Sequence, residues 1–378
     1  MNILVFNQSF FPLSETFVHR QVVGLSEYHN VTMLTYRYEN QDKFPVDAEK
    51  ELLAPYRGLP DKLITKVLRL AKGQGYKLSF QNRSLVEGLI KRNKIDVIHA
   101  HFGPSGIELL PVAKKLNIPM VVSFHGIDAA PAMLGDPEYA ANIQKVIGYA
   151  NAVIIVSPHF IDTLKLSRFS NKVHLIPYGT DEQKFLPADL PDREKIVIQH
   201  VGRLVAKKGV PDLIAAFAGL CGRYDNLELR IIGDGPEMQT CRDLVDQLDL
   251  GDKIVLLGSK PHAVVNEYMK DADIYVLNSR TDDKGDMEGL PNSILEAMSM
   301  EKAVVSTYHA GIPQAIQDGI NGLLVKERDN EALAAALEKL IKDRDLRRRL
   351  SVEARKMIIT HFSANGMEKR IRSVFAEL

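Results

Sequence analysis

The stretch IYVLNSRTDDKGDMEGLPNSILEAMSMEKAVVS, residues 274–306, contains two short apolar runs that flank a polar loop and one helix-like segment. The runs at 274–277 and 303–306 have the length and the β-branched content of buried strands. Pro291 suits the first position of a helix, because the N–H that it lacks has no partner there. A strand, a helix and a strand in this order predict one unit of a parallel sheet.

The same alternation extends in both directions and forms two series of about six apolar runs. The first series lies at 2–6, 30–35, 96–99, 120–124, 152–156 and 173–176. The second series lies at 196–201, 227–232, 254–257, 274–277, 303–306 and 322–325. Two consecutive series with helical stretches between the runs predict an α/β protein with two doubly wound parallel sheets. Each sheet would form a Rossmann-like domain, and the two domains would face a cleft.

A polar stretch that contains Pro187 and Pro191 separates the two series. Polar, proline-containing segments between periodic segments are typical linkers. We therefore expect a first domain at 1–184, a linker at 185–195 and a second domain at 196–360. The remaining residues, 361–378, are helical in pattern and are expected to form a final helix.

The composition limits the class of protein. Of the 378 residues, 45% are hydrophobic and 25% are charged, and the net charge is zero, as in ordinary soluble globular chains. A nucleic-acid-binding protein would need a basic excess, so nucleic acid is not an expected partner. The spacing of Cys221 and Cys241 matches neither a zinc motif nor a disulfide framework. Because no apolar run is long enough to span a membrane and the first residues lack a signal-peptide pattern, we expect a cytoplasmic protein.

Residues 61–77 alternate cations with apolar residues at helical spacing. The cations are Lys62, Lys66, Arg69, Lys72 and Lys77. One interpretation is a helix that buries its apolar stripe in the core and exposes a basic face, as most amphipathic helices do. The other is a helix that lies on an anionic membrane surface, which would make this a peripheral membrane protein at the inner face of the plasma membrane.

Residues 286–298 carry the strongest indication of chemistry. Neither Gly289 nor Leu290 offers a side-chain acceptor to the first helical amides, which therefore lack a normal cap. Uncapped amides beyond the carboxyl end of a strand suit an anion, and a pyrophosphate would satisfy them. Glu288 and Glu296 would then lie near the two ends of a bound nucleotide sugar. The alternative is a surface loop followed by an ordinary helical glutamate. The donor-binding residues expected here are Gly289, Leu290, Pro291, Asn292, Ser293 and Glu296.

A basic turn follows the run at 196–201. Gly202 allows a ligand to approach the backbone closely, and Arg203 and Lys208 offer a planar fork and a point charge that suit a diphosphate. Departure of a diphosphate builds negative charge, which fixed cations would stabilise. The alternative is a solvated basic turn. Weaker candidates for donor contacts follow the next two runs of the series, and these are Gly233, Gly235, Gly258 and Ser259.

Three histidines lie at strand ends in the first series. His125 is followed by a glycine and is placed to hydrogen-bond a sugar or a phosphate. His99 and His101 would point to the same face of an extended segment, which is the spacing of a metal pair. No third ligand is apparent, so acceptor binding or simple packing is the preferred interpretation. Ser14 and Glu15 look like a helix cap, and both are also candidates for acceptor binding.

Two nucleotide-binding motifs and one metal-binding motif can be set aside. The first run is not followed by Gly-x-Gly-x-x-Gly, which excludes a simple dinucleotide dehydrogenase. The chain also has no Walker A segment. Asp271 and Asp273 resemble a metal-binding Asp-x-Asp triplet. They precede a strand, at the wrong edge of the sheet for a ligand, so capping is their expected role.

Together these motifs resemble the retaining glycosyltransferases of family 4, which have the two-domain GT-B fold, over essentially the whole chain. The most specific part is Glu288 and Glu296 with the intervening Gly-Leu-Pro. The SETF segment at 14–17 and the HAHFG segment at 99–103 are similar to the exopolysaccharide branch of the family, the colanic-acid and amylovoran type.

The resemblance implies transfer of a hexose-type sugar from a nucleotide-diphosphate sugar to a glycan or lipid-linked glycan, with retained anomeric configuration and without a metal or cofactor. It implies that Glu288 binds the donor sugar hydroxyls and Glu296 the ribose. Arg203 and Lys208 would bind the diphosphate, and His125 would contact the sugar near the reacting carbon. The last helix would cross back onto the first domain.

The chain departs from the family pattern at two places. Many members carry a Gly-Gly pair after the first strand, where the donor phosphates and the acceptor approach, and this chain has FPLS at 11–14. After the motif helix the family usually has a glycine before the next strand. Here Glu301 and Lys302 occupy that turn.

Two other functions fit part of these motifs. A nucleotide-sugar 2-epimerase has a similar two-domain shape and needs no acceptor. A non-catalytic protein that binds nucleotides or glycans is the second alternative. The joint presence of Glu288, Glu296, Arg203 and Lys208 argues against it.

Overall fold

The computed structural model describes residues 1–12, 15–55, 58–72, 78–189 and 193–378. The chain forms two compact units, one of Met1–Ile176 with Glu368–Leu378 and one of Pro177–Met367. The strands of the first unit are β1 Asn2–Phe6, β2 Ser9–Phe10, β3 Asn30–Thr35, β4 Arg37–Tyr38, β5 Glu49–Leu52, β6 Val97–His101, β7 Met120–Phe124, β8 Ala152–Ile155 and β9 Val173–Leu175. Its helices are α1 Thr16–Ser26, α2 Leu59–Lys72, α3 Phe80–Arg92, α4 Gly103–Leu116, α5 Pro131–Leu134, α6 Pro137–Tyr149 and α7 Phe160–Thr163.

The second unit has the same alternation of strands and helices. Its strands are β10 Ile196–Val201, β11 Leu227–Ile232, β12 Ile254–Gly258, β13 Ile274–Leu277, β14 Ala303–Thr307 and β15 Leu323–Val325. Its helices are α8 Val210–Cys221, α9 Met238–Gln247, α10 His262–Lys270, α11 Asn292–Ser299, α12 Ile312–Ala315, α13 Asn330–Lys342 and α14 Arg344–His361. The final helix, α15 Ala364–Ala376, begins in this unit and continues into residues grouped with the first.

Each unit is built on one parallel sheet. The strand order is β5-β3-β1-β6-β7-β8-β9 in the first and β12-β11-β10-β13-β14-β15 in the second. In both sheets the order reverses beside the first strand, between β1 and β6 and between β10 and β13. This is the Rossmann arrangement, in which ligands bind beyond the carboxyl ends of the strands at the point of reversal. The predicted fold class, two doubly wound parallel sheets, is confirmed.

The apolar runs predicted the strands because the strands are buried on both faces. The runs at 196–201, 227–232 and 274–277 coincide with β10, β11 and β13. No apolar run predicted β5, whose sequence EKEL is mostly exposed at the edge of the first sheet. An edge strand with polar side chains leaves no apolar run to detect.

The division into compact units differs from the predicted domain bounds at residues 177–184. Residues 177–184 belong to the second unit rather than to the first. There the Thr180 N–H donates to Phe362 O at 2.8 Å, and the Ala364 N–H donates to Thr180 O at 2.8 Å. The Ser299 hydroxyl donates to Phe185 O at 2.8 Å, so the start of the predicted linker is also packed on the second unit. Residues 190–192 of that linker lie outside the described residues.

The end of the chain is packed rather than free. Residues 368–378 are grouped with the first unit, where Phe375 is fully buried and its ring centroid lies 5.4 Å from that of His99. Cys221 and Cys241 are buried free thiols. Within the described ranges, no helix combines the length and the apolar character that crossing a membrane would require.

Candidate active sites of the two units

The site of the second unit lies at the carboxyl ends of β10 and β13. These strands are neighbours in the sheet, where Gln199 pairs with Tyr275, although they are separated by more than 70 residues of chain. The loop after β10 therefore meets the loop after β13. These two loops carry Arg203 and Lys208 on one side and Glu288 on the other, so the fold brings together residues that the sequence analysis could only place separately.

Hydrogen bonds from the β13 loop fix the β10 loop. The Asn278 side-chain amide donates to Gly209 O at 2.7 Å, and the Arg280 N–H donates to Lys207 O at 2.8 Å. Gly209 has a φ of +62°, and a Cβ at this position would lie 2.8 Å from the Asn278 amide nitrogen. A glycine is needed there because both the backbone conformation and the space exclude a side chain.

Two lysines of this loop bind the carboxylates of residues 286 and 288. Lys208 Nζ lies 3.2 Å from Glu288 Oε1, and the two side chains are only 11% and 12% exposed. Lys207 Nζ lies 3.1 Å from Asp286 Oδ2 and 3.8 Å from Glu288 Oε1. Burial raises the pKa of Glu288, but the charges of Lys208 and Lys207 outweigh it and hold the pKa below its usual value. Glu288 is therefore an ionised carboxylate between two cations.

Arg203 differs from the lysines because it is solvent-exposed. Among the described residues, its guanidinium makes no hydrogen bond and no ion pair. The loop after β10 thus carries three cations, Arg203, Lys207 and Lys208, and the loop after β13 carries the carboxylates of Asp286 and Glu288. An unpaired guanidinium beside two lysines can bind a diphosphate.

Helix α11 begins at Asn292, one residue later than predicted, with Pro291 in the position before it. No side chain caps its first amides. Ser293 hydrogen-bonds the buried Tyr275, whose hydroxyl donates to Val201 O at 3.3 Å. Glu296 lies farther along the helix, half-buried, with Oε1 3.3 Å from His262 Nε2. The free amides at the start of α11 and the lysines near Glu288 lie in the loops that follow β13 and β10, which are neighbouring strands.

Two of the glycines predicted to contact the donor, Gly233 and Gly235, have a packing role. A Cβ on Gly233 would lie 1.7 Å from Gly202 O, and one on Gly235 would lie 2.4 Å from Leu204 O. The Gly233 N–H donates to Gly258 O at 3.0 Å. These glycines let the loops after β10, β11 and β12 lie directly against one another. Ser259 and Leu290, also named as donor-binding candidates, are respectively exposed and fully buried.

In the first unit, the strand-end histidines form a buried cluster. His101 Nδ1 lies 3.0 Å from His125 Nε2, and His99 Nε2 lies 2.8 Å from Ser123 Oγ. The rings of His99 and His101 face each other with centroids 4.2 Å apart, on the same side of β6 as predicted. The His99 and His101 side chains are fully buried, whereas 6% of His125 is exposed.

Burial keeps these three imidazoles uncharged. It lowers the pKa of His99 and of His125 to about 3, and it lowers the pKa of His101 well below the ordinary value. His101 and His125 each also lie near another histidine of the cluster, and this proximity further disfavours their protonation. The cluster therefore offers neutral hydrogen-bonding groups and no charge. Among the described residues, no group of three or more possible ligands could hold a metal ion.

Asp128, which the sequence analysis did not single out, fixes the position of His125. Its Oδ1 accepts from the N–H groups of His125 at 3.0 Å and Gly126 at 2.9 Å, and its Oδ2 accepts from the Gly103 N–H at 2.9 Å. The rings of Phe17 and Phe102 lie 4.8 and 4.6 Å from the His125 ring. This buried carboxylate ties the ends of β6 and β7 together, and its position three residues after His125 was the available signal.

The remaining candidates are placed as follows. Glu15 precedes α1 without capping it, and the Asn7 side chain donates to its Oε2 at 3.3 Å. Burial raises the pKa of Glu15 to about 6. Ser14 lies outside the described residues. Asp271 forms an ion pair with Arg193 at 2.5 Å, and Asp273 accepts from the Val197 N–H at 2.9 Å, so this pair of aspartates is structural.

Comparison with known proteins agrees with this geometry. A family model described as glycosyl transferases group 1 matches residues 181–357, and one described as glycosyltransferase family 4 matches residues 14–184. The putative colanic acid biosynthesis glycosyltransferase WcaL of Escherichia coli strain K12 is 30% identical over 86% of this chain and 87% of its own length. The amylovoran biosynthesis glycosyltransferase AmsK of Erwinia amylovora is 28% identical over 90% of each chain.

Solved structures show the same fold. Crystal structures of the Anabaena protein HepE cover 100% of both chains at 17% identity, with a TM-score of 0.83 for the complex with UDP and 0.78 for the complex with UDP-glucose. The likeness extends over both parallel sheets and confirms the GT-B fold class. The chain belongs to the group 1 and family 4 glycosyltransferases, and it is a glycosyltransferase enzyme.

Proposed function

We propose that the protein transfers a hexose-type sugar from a nucleotide-diphosphate sugar to a glycan or lipid-linked glycan during synthesis of a cell-surface polysaccharide, with retained anomeric configuration. The names of the relatives WcaL and AmsK support the pathway class, and the HepE complexes with UDP and UDP-glucose support the donor class. The observation that carries the proposal is the Lys208–Glu288 pair beside the uncapped start of α11.

In this proposal the diphosphate binds the free amides of α11, Arg203 and Lys208. The helix amides, the Arg203 guanidinium and the Lys208 ammonium favour a dianionic group. Glu288 binds sugar hydroxyls, because an ionised carboxylate held by lysine accepts hydrogen bonds strongly. Glu296 accepts from the ribose hydroxyls. His125 contacts a hydroxyl of the transferred sugar, since a neutral imidazole can donate or accept.

The reaction breaks the bond between the anomeric carbon and the diphosphate oxygen, which takes the electron pair. The acceptor oxygen bonds to the same carbon from the side of the leaving group, and its proton passes to a diphosphate oxygen. Arg203 and Lys208 stabilise the charge that develops on the leaving group. We expect activity to persist in a metal chelator, because these cations replace a metal in that role.

A ligand screen followed by a turnover assay tests the proposal. UDP, GDP, UDP-glucose and GDP-mannose are compared for their effect on the melting temperature, since a ligand that binds the folded state stabilises it. The stabilising nucleotide sugar is then incubated with and without glycan acceptors. Conversion of the donor to another nucleotide sugar without acceptor would indicate an epimerase. Binding without any turnover across the panel would indicate a non-catalytic protein.

We further propose that α2 contacts an anionic membrane, where lipid-linked acceptors reside. Leu59, Leu63 and Ile64 are 74%, 63% and 43% exposed, so the inward-facing interpretation does not hold for these side chains. Lys62 and Lys66 are exposed beside them. The residues at 73–77 of the predicted stretch lie outside the described residues. Exposed apolar side chains next to cations favour attachment to a negatively charged bilayer.

Vesicle flotation tests this contact. We expect the protein to float with vesicles of phosphatidylglycerol and phosphatidylcholine, to stay behind with pure phosphatidylcholine, and to lose binding as salt is raised. Leu63→Glu should abolish flotation. Ile359→Glu, at an exposed apolar residue of α14 (51% exposed), is the matched control and should float normally. Equal flotation of both variants would contradict the proposal.

A further inference from the structure

His309 is a fully buried histidine with a partner at each ring nitrogen. The Glu288 main-chain N–H donates to His309 Nε2 at 3.0 Å, and His309 Nδ1 lies 2.6 Å from Glu327 Oε1. A main-chain N–H can only donate, so Nε2 must present its lone pair. The proton of the neutral ring is therefore on Nδ1, where it is donated to the Glu327 carboxylate. The two contacts fix the tautomer of His309 without ambiguity.

Glu327 is itself held in place. Its Oε2 accepts from the Thr281 N–H at 2.8 Å, in the loop that follows β13. Burial raises the pKa of Glu327, but the hydrogen bonds from Thr281 and His309 outweigh it and keep the pKa below its usual value. His309 follows β14 and Glu327 follows β15, so the pair connects three neighbouring strand ends of the second sheet.

The pair holds the backbone of the segment that carries Glu288. Beside the His309 contact, the Gly311 N–H donates to Gly289 O at 2.9 Å. A Cβ on Gly311 would lie 2.5 Å from Gly289 O, so the two segments are in close contact. The main chain is thus hydrogen-bonded at two consecutive residues, Glu288 and Gly289. The Glu288 carboxylate contacts Lys208.

We infer that His309 and Glu327 are positioning residues that hold the Glu288 main chain so that its carboxylate and the start of α11 keep the geometry required by the donor sugar. The inference rests on the proposed function. His309 is too deeply buried to touch a substrate, and it acts through the Glu288 N–H. Loss of that bond leaves a main-chain donor without its partner and frees the loop to move. Misplacement of a group that contacts substrate by about 1 Å can lower turnover about 100-fold.

Two substitutions at one position separate hydrogen bonding from packing. His309→Phe keeps a planar ring but has neither an acceptor nor a donor. His309→Gln has an amide oxygen that can accept from the Glu288 N–H and an amide nitrogen that can donate to Glu327. Tyr308→Phe, at the exposed neighbour of His309, is the matched control and should behave as the wild type. Glu327→Gln tests the second member of the pair without a change in volume.

The readouts are kcat for release of the nucleoside diphosphate from the donor identified in the screen, the Kd of that nucleoside diphosphate, and the melting temperature. We expect H309F to lower kcat about 10- to 100-fold with the Kd changed less than threefold. H309Q should lose less: the logarithm of its fold loss in kcat should be at least a third smaller than that of H309F. In the wild type, a nitrogen-15 spectrum of the imidazoles should show His309 protonated at Nδ1.

Three results would overturn the inference. One is an H309F variant that melts as the wild type does and keeps its kcat. The second is equal loss of activity in H309F and H309Q, which would assign His309 to packing alone. The third is an imidazole protonated at Nε2. If H309F does not fold, E327Q takes its place, and an E327Q variant that melts as the wild type does and keeps its kcat would overturn the inference. A wild-type chain that neither binds nor cleaves any nucleotide sugar would instead overturn the proposed function, and the inference with it.

Discussion

The two sheets share one topology but carry opposite chemistry at their strand ends. In the first unit, three buried imidazoles lie at the carboxyl ends of β6 and β7, and burial keeps them uncharged. In the second, three cations and two carboxylates lie beside β10 and β13. The fold supplies a location for a ligand, and the loop residues decide its class. A neutral cluster suits sugar hydroxyls, whereas a site with clustered cations and free helix amides suits a diphosphate.

Removal of Lys208 should have the largest effect. Lys208→Ala leaves the buried Glu288 carboxylate with only the more distant Lys207, and it removes a charge that stabilises the leaving group. We expect kcat to fall by about 100- to 1,000-fold. Steady-state turnover of the identified donor measures it. Lys339→Ala, at an exposed lysine of α13, is the control. A fall of less than threefold in K208A would contradict the role of Lys208.

Arg203 tests the same site without disturbing its packing. Because Arg203 is exposed and its guanidinium has no partner among the described residues, Arg203→Ala should leave the melting temperature unchanged. Turnover should still fall by about 100-fold, since the guanidinium is proposed to bind the diphosphate. Arg203→Lys keeps the charge, so its turnover should fall less than that of Arg203→Ala. Unchanged turnover in R203A, or a matching loss of stability, would show that the residue has another role.

Acid should destabilise the neutral cluster. The pKa of His99 is about 3 in the folded chain, below its unfolded value, so the unfolded state binds the proton first. The stability that this group provides is complete above the unfolded pKa and is lost as the pH falls through it toward the folded pKa. Between pH 7.5 and 5.5 the loss is about 1.4 kcal/mol for this histidine. Burial raises the pKa of Glu15, which acts in the opposite direction.

Urea unfolding at the two pH values checks this prediction. The measured quantity is the difference between the free energies of unfolding of the first unit at the two pH values. We expect this difference to be about 1.4 kcal/mol smaller in His99→Gln than in the wild type. The same dependence in the wild type and in H99Q would show that His99 is not held neutral.

The smallest effect is expected at Glu301, in the turn where the family usually has a glycine. Its φ is +53°, a left-handed conformation that costs a residue with a side chain about 1–2 kcal/mol. Glu301→Gly should therefore raise the free energy of unfolding by about 0.5–1 kcal/mol, after the greater backbone entropy of glycine is deducted. Glu301→Ala should not. An equal gain in both variants would assign the effect to loss of the glutamate side chain.

The strands could be predicted well from the sequence, and the sites only in part. Buried parallel strands need continuous apolar runs, which a sequence displays directly. The contact of Lys208 with Glu288 depends on which strands are neighbours, and only the topology supplies this information. His309 and Glu327 were missed because their roles depend on hydrogen bonds to main-chain N–H groups of other loops. Asp128 was missed although its position three residues after His125 was a usable signal, because its bond to the Gly103 N–H joins two loops that are distant in sequence. His99 and His101 lie on the predicted face, but their burial follows from packing against residues distant in sequence, such as Phe375.

Calorimetric titration of UDP and GDP tests the central contrast most directly. We predict that at least one of them binds the wild type, that K208A weakens this binding at least tenfold, and that His125→Ala, in the first unit, changes it less than threefold. Failure of both diphosphates to bind the wild type, or equal affinity in the wild type and K208A, would contradict the assignment of the diphosphate to the charged site of the second unit.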